Sequence, residues 1–273
     1  MPAINAIAPE KLFRLIGTPR CPAILDISGD AGAGSIPAAR PRDAAAVEDW
    51  AGPLAGRTAV VVCADGGAPS HGVAALLREL GVDAELLEGG LAAWTAAGLP
   101  SLDRTALPPR DAAGRTLWVT RARPKVDRIA CPWLIRRFVD PSARFLFVSP
   151  GEVAGVAETM RATPFDVEGP GVRWTHEGER CSFDAMVAGF GLGGFAALDR
   201  LSVIVRGADT GRPELAPEAA GLLAASLGLS RMFADDLEQL DAGMLFYDAL
   251  YRWCRDATGE THGWEAHQPR AAK

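Results

Sequence analysis

The sequence predicts an α/β front half built on a small parallel sheet, followed by a largely helical α+β back half. Three observations carry that reading. Short β-rich apolar runs alternate with a helical pattern before residue 100. A stretch rich in proline, small and polar residues then breaks the apolar periodicity at 99–115. Beyond residue 183 three- and four-residue apolar spacings dominate. The expected organisation is a first domain at 1–100, an exposed linker at 101–115 and a second domain at 116–265.

Each element has a local reason. AILDI (23–27) and AVVVC (59–63) are apolar runs of strand length, too short for buried helices. AELLEG (84–89) is a weaker third strand. Between the last two, Val73, Leu76, Leu77 and Leu80 share one helical face, which predicts a helix over 72–80 with Ser70 at its N-cap and Gly81 at its stop. A strand, a helix and another strand imply parallel pairing through a right-handed crossover. After the linker, TLWVT (116–120) and RFLFVS (144–149) read as strands. Pro132 suits the first turn of a helix over 133–138 better than the middle of a longer one. Helical patterns recur at 222–227, 232–240 and 243–255.

Composition narrows the function. No run reaches the ~18 to 20 apolar residues of a membrane span, and the first residues lack the basic and apolar regions of a secretory signal. Five scattered cysteines without a CxxC pair fit a reducing compartment. A cytoplasmic protein without membrane insertion is therefore expected. The net charge of −6 and the lack of a clear helix-turn-helix argue against DNA as a partner. Residues 1–105 carry 8 Lys/Arg against 12 Asp/Glu, whereas 115–148 carry 8 against Asp127 and Asp140 alone. That local excess suits an oxyanion, a phosphate backbone or an acidic partner, or else a solvated face. The aromatic helix pattern at 244–254 suits a core face or a homodimer contact.

The most informative stretch is VVVCADGGAPSHGVAALLREL, residues 60–80. A buried strand ends on Cys63, and a loop of small residues leads into a helix. A thiolate there could be stabilised by loop amides and the helix N-terminus, and the same amides could hold an oxyanion. The candidate nucleophile is Cys63, with Ala64, Asp65, Gly66, Gly67, Ala68 and Ser70 as an anion-binding loop. The alternative is a core cysteine beside an ordinary turn. With ILDIS, GSIPAA (34–39) and LLEGGLAAWTAAGLP (86–100), the stretch resembles a single rhodanese-like domain over residues 5–100. The resemblance implies persulfide formation on Cys63 and sulfurtransferase activity toward a thiol acceptor. The loop departs from that family's pattern: it has no basic residue, Asp65 is acidic, and Pro69 lacks an N–H. Ser35 also stands where the family often has histidine.

In the back half WVTRARPKVDRIACPWLIRRFVD (118–140), HEGERCSFDAM (176–186) and LSVIVRGAD (201–209) resemble the C-terminal domain of the ChrB chromate-resistance family, over 115–265. That resemblance implies a chromate-response role, sensing or responding to an oxyanion or metal. Arg121, Arg123, Lys125 and Arg128, with Arg136 and Arg137 beyond them, are the candidate oxyanion-binding cations; the alternative is surface arginines paired with Asp127 and Asp140. Asp127, His176, Cys181 and Asp209 are the candidate metal ligands, with Asp166, Glu168 and Asp184 as further carboxylates. Imidazole, thiolate and carboxylate donors suit zinc or iron. The alternative is a structural histidine and a small buried cysteine. Cys131, near three basic residues, is either a redox-sensing thiol or a buried one. His262 and His267 fall in a polar tail without the pattern of a site.

Overall fold

A computed structural model describes residues 5–29 and 34–260. The strands are β1 (Ala6–Ile7), β2 (Ala23–Asp26), β3 (Gly34–Ser35), β4 (Arg40–Pro41), β5 (Thr58–Val62), β6 (Asp83–Leu87), β7 (Leu102–Asp103), β8 (Leu117–Arg121), β9 (Arg144–Val148) and β10 (Thr163–Pro164). The helices are α1 (Pro9–Phe13), α2 (Val47–Ala51), α3 (Ala68–Glu79), α4 (Gly90–Ala96), α5 (Asp127–Leu134), α6 (Val153–Met160), α7 (Ser182–Gly189), α8 (Ala196–Asp209), α9 (Ala219–Met232) and α10 (Asp236–Asp256).

The front half is a five-stranded sheet in the order β1-β6-β5-β2-β4, parallel throughout. Its strands alternate in the two-residue period of a sheet covered on both faces. Val60 and Val62 of β5, with Ile24 and Leu87 of its neighbours, point into the main core. Ala59 and Val61, with Leu25 and Ala84, point the other way, onto Val73 and Leu77 of α3 and Val47 of α2. Each fully buried valine or leucine contributes roughly 1.5–3 kcal/mol of transfer free energy. The back half is α+β and largely helical. A three-stranded parallel sheet, β10-β8-β9, is packed by α5 to α10 and the turns between them. Among the described residues no helix is long and apolar enough to cross a membrane.

Three helices differ from the sequence expectation, each for a packing reason. α3 begins at Ala68 with Gly67 as its N-cap, so Ser70 lies in the first turn, where its hydroxyl donates to Gly67 O at 2.9 Å. α5 starts at Asp127 and runs through Pro132 into a π-helical turn, Ile135–Val139. Pro132 gives up one helical hydrogen bond there, but Ile129, Trp133, Leu134 and Phe138 around it are all buried, and tertiary packing outweighs propensity. From Asp236 on, the patterns at 232–240 and 243–255 merge into one helix, α10, capped by Asp235, while Met232 ends α9. Gly243 looks like a boundary in sequence. In the structure it marks a close helix crossing, since a Cβ there would stand 2.4 Å from Ile129 Cγ2.

The stretch read as an exposed linker is anchored. β7 pairs antiparallel with β3, Leu102 and Ala106 are buried, and Arg104 pairs with Asp26 at 2.7 Å. One apolar core runs from Ile7, Leu12 and Trp94 through Phe138 and Phe195 to Tyr251. Phe13 meets Phe195 with ring centroids 4.8 Å apart, and Ala38 N–H donates to Phe138 O at 2.6 Å. Tyr247 and Tyr251 of the aromatic helix pack on Trp133 within this core.

Candidate metal centre

The strongest concentration of chemistry lies in the back half. Residues 122–126 lead into α5 through a strained turn: Val126 has φ +36°, an outlier for a β-branched residue. The turn is held by its neighbours. Ser226 Oγ accepts from Val126 N–H at 2.9 Å, Tyr247 donates to Val126 O at 3.2 Å, and Gln239 donates to Pro124 O at 2.6 Å. The strain places Asp127 as the first residue of α5, fully buried. One of its oxygens, Oδ2, accepts from Phe183 N–H at the start of α7, at 3.2 Å. The other, Oδ1, is buried without a hydrogen-bond partner among the described residues.

Three more segments converge on it. Asp166, at φ +50° just after β10, accepts from Ser182 Oγ at 2.8 Å. His176 comes from the turn before α7, and Asp209 ends α8. His176 Nε2 stands 3.8 Å from Asp127 Oδ2, 3.5 Å from Asp166 Oδ1 and 3.1 Å from Asp209 Oδ2. Donor atoms of Asp127, Asp166 and His176 all lie within 4.8 Å of one another. Ligands about 2.1 Å from a metal, at tetrahedral or octahedral angles, stand roughly 3.0–3.4 Å apart. The cluster is close to that spacing.

The electrostatics agree. The hydrogen bond to Asp166 raises His176 to about 9 against the opposing effect of burial, and the charges of Asp127 and Asp209 add to the rise. Burial, reinforced by Asp209 and Asp166, pushes the Asp127 carboxyl well above its ordinary value. Burial and the charge of Asp166 push Asp209 up as well. Asp166 goes the other way: burial opposes its ionisation, but hydrogen bonds from His176 and Ser182 and the arginines at 128 and 121 outweigh it. A proton on His176 thus supplies the positive charge that a bound cation would supply.

Cys181 stands behind this set. It is fully buried at the N-cap of α7, its thiol against Asp127, and burial and the Asp127 charge push its ionisation far up. That setting keeps the thiol neutral and leaves the imidazole and carboxylates as the candidate donors. Asp184 is spent on a bidentate pair with Arg206, at 2.8 Å for both bonds, and Glu168 is exposed outside the cluster. Cys131 is fully buried, and burial pushes its thiol well up, with Asp127 adding to the effect. His262 and His267 lie outside the described residues.

The cations of 121–137 are largely committed. Arg121 and Arg128 both face Asp166 Oδ2, at 3.5 and 3.3 Å. Arg123 donates to the carbonyls of Phe233 and Ser230, and Arg137 makes a bidentate pair with Asp248. Arg136 lies over the Phe145 ring and pairs with Asp241. Lys125 alone of the four expected oxyanion ligands is exposed with no partner for its side chain among the described residues. Sequence reasoning underweighted Asp166 as a ligand, for its partners lie 10 to 45 residues away with no motif to join them.

The Cys63 loop closes against the glycine pair at 89–90. A Cβ on Gly90, at φ +57°, would stand 2.4 Å from Cys63 O and 2.6 Å from Gly66 N. Leu91 and Ala92 N–H donate to Cys63 O and Ala64 O at 3.0 and 2.9 Å. Cys63 follows β5 directly and is buried, with its Sγ 3.3 Å from Ser70 Oγ and 3.6 Å from Asp65 Oδ1. Among the described residues no backbone N–H donates to the sulfur. Gly67 N–H turns instead to Asp65 Oδ1 at 2.9 Å.

Fold and site together define a two-part protein: a parallel α/β unit with a cysteine just past the end of its central strand, joined to a helical unit in which an exposed imidazole caps a cluster of buried carboxylates. The chain belongs to the ChrB C-terminal domain family, whose description "ChrB, C-terminal domain" matches residues 118–254. It is 36% identical over 169 residues to Protein ChrB of Cupriavidus metallidurans, an alignment covering 61% of this chain and 47% of that one. The chain thus spans about half the length of its curated relative. A rhodanese-related protein from Thermoplasma volcanium is similar over 36% of this chain and 98% of its own, at 22% identity and a TM-score of 0.32. The thiosulfate sulfurtransferase of Pseudomonas aeruginosa is similar over 57% of this chain and 38% of its own, at 18% identity and a TM-score of 0.32.

Proposed function

We propose that this chain is a chromate-response protein of the ChrB type whose back half binds a divalent first-row metal ion on Asp127, Asp166 and His176, with Asp209 beside them. The observation that supports it most is the convergence of one imidazole nitrogen on three carboxylates, 3.1–3.8 Å away. The unpartnered Asp127 Oδ1 adds to it, because a buried acceptor without a donor is costly and a cation would satisfy it. Carboxylate-rich donors with one imidazole suit iron(II), zinc or manganese(II). The placement of the ligands supports a sensing role. Asp127 and Asp209 sit on helices, while Asp166 and His176 belong to the 165–181 segment. A bound ion would tie that segment to α5 and α8, and a ligand that favours one arrangement shifts the population toward it.

Protein purified without chelator should hold near-stoichiometric metal by elemental analysis, and His176→Ala should lose it. A wild-type protein that is metal-free as isolated, and that fails to bind added Zn²⁺, Fe²⁺ or Mn²⁺, would overturn the reading. A thiol sulfur acceptor or small oxyanion belongs to a second reading, sulfur transfer at Cys63. That reading draws on the polar setting of the thiol at the end of the central strand. The thiolate would attack the sulfane sulfur of thiosulfate, form the persulfide S–S bond and release sulfite. It requires Asp65 to leave the loop, and intact mass after thiosulfate treatment tests it: a gain of one sulfur atom, absent in Cys63→Ser.

A further inference from the structure

A second cluster of cations lies elsewhere, at the edge of the front sheet. A cavity of about 420 Å³ opens where the end of β2, β3, the residues after β4 and the 104–110 segment meet. Arg42, Arg104 and Arg110 line it from three different stretches of chain, together with Ser35, Asp26 and Asp43. Two of the arginines are held in place by acids. Arg104 pairs with Asp26 at 2.7 Å and also donates to Gly29 O. Arg110 faces the fully buried Asp140 at 3.3 Å and donates to Gly114 O.

Arg42 makes no ion pair among the described residues, and the Asp140 charge reaches it only from a distance. Its guanidinium donates to Pro41 O, and its buried Nε has no hydrogen-bond partner among the described residues. It rests near the Trp50 ring, 5.8 Å from the centroid, which orients it without neutralising it. Burial and the neighbouring Arg110 guanidinium both hold Arg42 below its ordinary value, and burial does the same for Arg40 behind it. Crowded guanidiniums with an orphaned N–H are an arrangement that an anion would relieve. Arginine forks suit the several oxygens of phosphoryl or sulfuryl groups.

We infer that this cavity is a binding site for a tetrahedral dianionic oxyanion, free or as the head group of a small ester, held by Arg42, Arg104 and Arg110 with the Ser35 hydroxyl. The volume falls in the range of small-molecule pockets, so it leaves room for an organic group behind the anion. The site does not use the metal cluster, and it lies apart from the arginines at 121–128, which are occupied by Asp166 and by backbone carbonyls.

The test is calorimetric titration of the full chain, stripped of metal and held at constant ionic strength, with inorganic sulfate, inorganic phosphate and glycerol phosphate. Saturable one-to-one binding of at least one of them is expected. Arg42→Gln should weaken it at least tenfold while leaving the thermal melt unchanged, since that side chain makes no ion pair among the described residues. His176→Ala should leave the affinity as it is. An ester that binds tenfold tighter than either inorganic ion identifies the esterified source, and equal affinities identify the free ion. Absence of saturable binding by all three probes overturns the inference. So does binding that survives Arg42→Gln, or that is lost in His176→Ala instead.

Discussion

Asp209 Oδ2 lies 3.1 Å from Nε2 of His176, at the last residue of α8. A carboxylate at a helix C-terminus works against the helix dipole, and this one is also largely buried beside two other aspartates. Such a position does little for stability by itself. It concentrates negative potential around a single imidazole, which is what a cation requires.

Asp127→Asn separates fold from binding. The amide keeps an oxygen to accept Phe183 N–H but removes the charge. Metal-free Asp127→Asn should melt within about 1 kcal/mol of the wild type. At a metal concentration one hundred times the wild-type dissociation constant, the wild type should gain about 2.7 kcal/mol and the variant far less. Thermal melts with and without Zn²⁺ or Mn²⁺ read both. An equal gain in the two proteins would remove Asp127 from the ligand set.

Gly90→Ala should destabilise the front half by about 2–5 kcal/mol, combining a left-handed backbone with a clash against Cys63 O. Gly81→Ala is the comparison. Its φ is +81°, but open space surrounds it, so strain of about 1 kcal/mol is all it should show. Urea denaturation of both variants measures the difference.

The buried thiols and phenols set an alkaline limit. Burial raises Cys21 to about 12, Tyr251 to about 12 and Cys254 to about 11. Each folded-state value lies above the unfolded one, so the native state keeps protons that the unfolded chain releases. Stability from these groups is therefore complete below about pH 9 and is lost as pH rises toward 11–12. A series of melts from pH 7 to 11 should be flat at first and then fall, and Cys254→Ala should soften the fall.

Asp65→Asn tests the loop. The side-chain oxygen can still accept Gly67 N–H, while the negative charge 3.6 Å from Cys63 Sγ is gone. Persulfide formation from thiosulfate, followed by intact mass, should be severalfold faster in the variant than in the wild type. No difference between them would mean that the carboxylate does not govern the thiol.

Much of the fold is legible in the sequence, because the parallel strands and α3 advertise themselves by period and by β-branched composition. Pro132 and Gly243 mislead for a shared reason: both read locally as the start of a new helix, and both are accommodated inside a longer one by side chains far away in sequence. The site divides in the same way. Asp127, His176 and Asp209 stand out by residue type alone, since 49 and 33 residues separate them and no motif joins them. The proximity of Cys181 to His176 draws attention to the thiol, but depth of burial decides its role, and burial has no local signature. Arg121 and Arg128 meet Asp166 rather than the nearby Asp127 or Asp140, and Arg42 looks ordinary until Arg104 and Arg110 arrive beside it.

Phe13, Phe138, Phe195 and Tyr251 form a ring-to-ring chain that passes from one half into the other. Gly17 lets that chain close, since a methyl there would strike Phe138 Cζ at 2.4 Å. Severing the polypeptide near residue 110 would strip both fragments of their shared aromatic wall and leave each with a wide greasy wound. The two halves are thus one continuous hydrocarbon body, and neither can be peeled from the other without opening it.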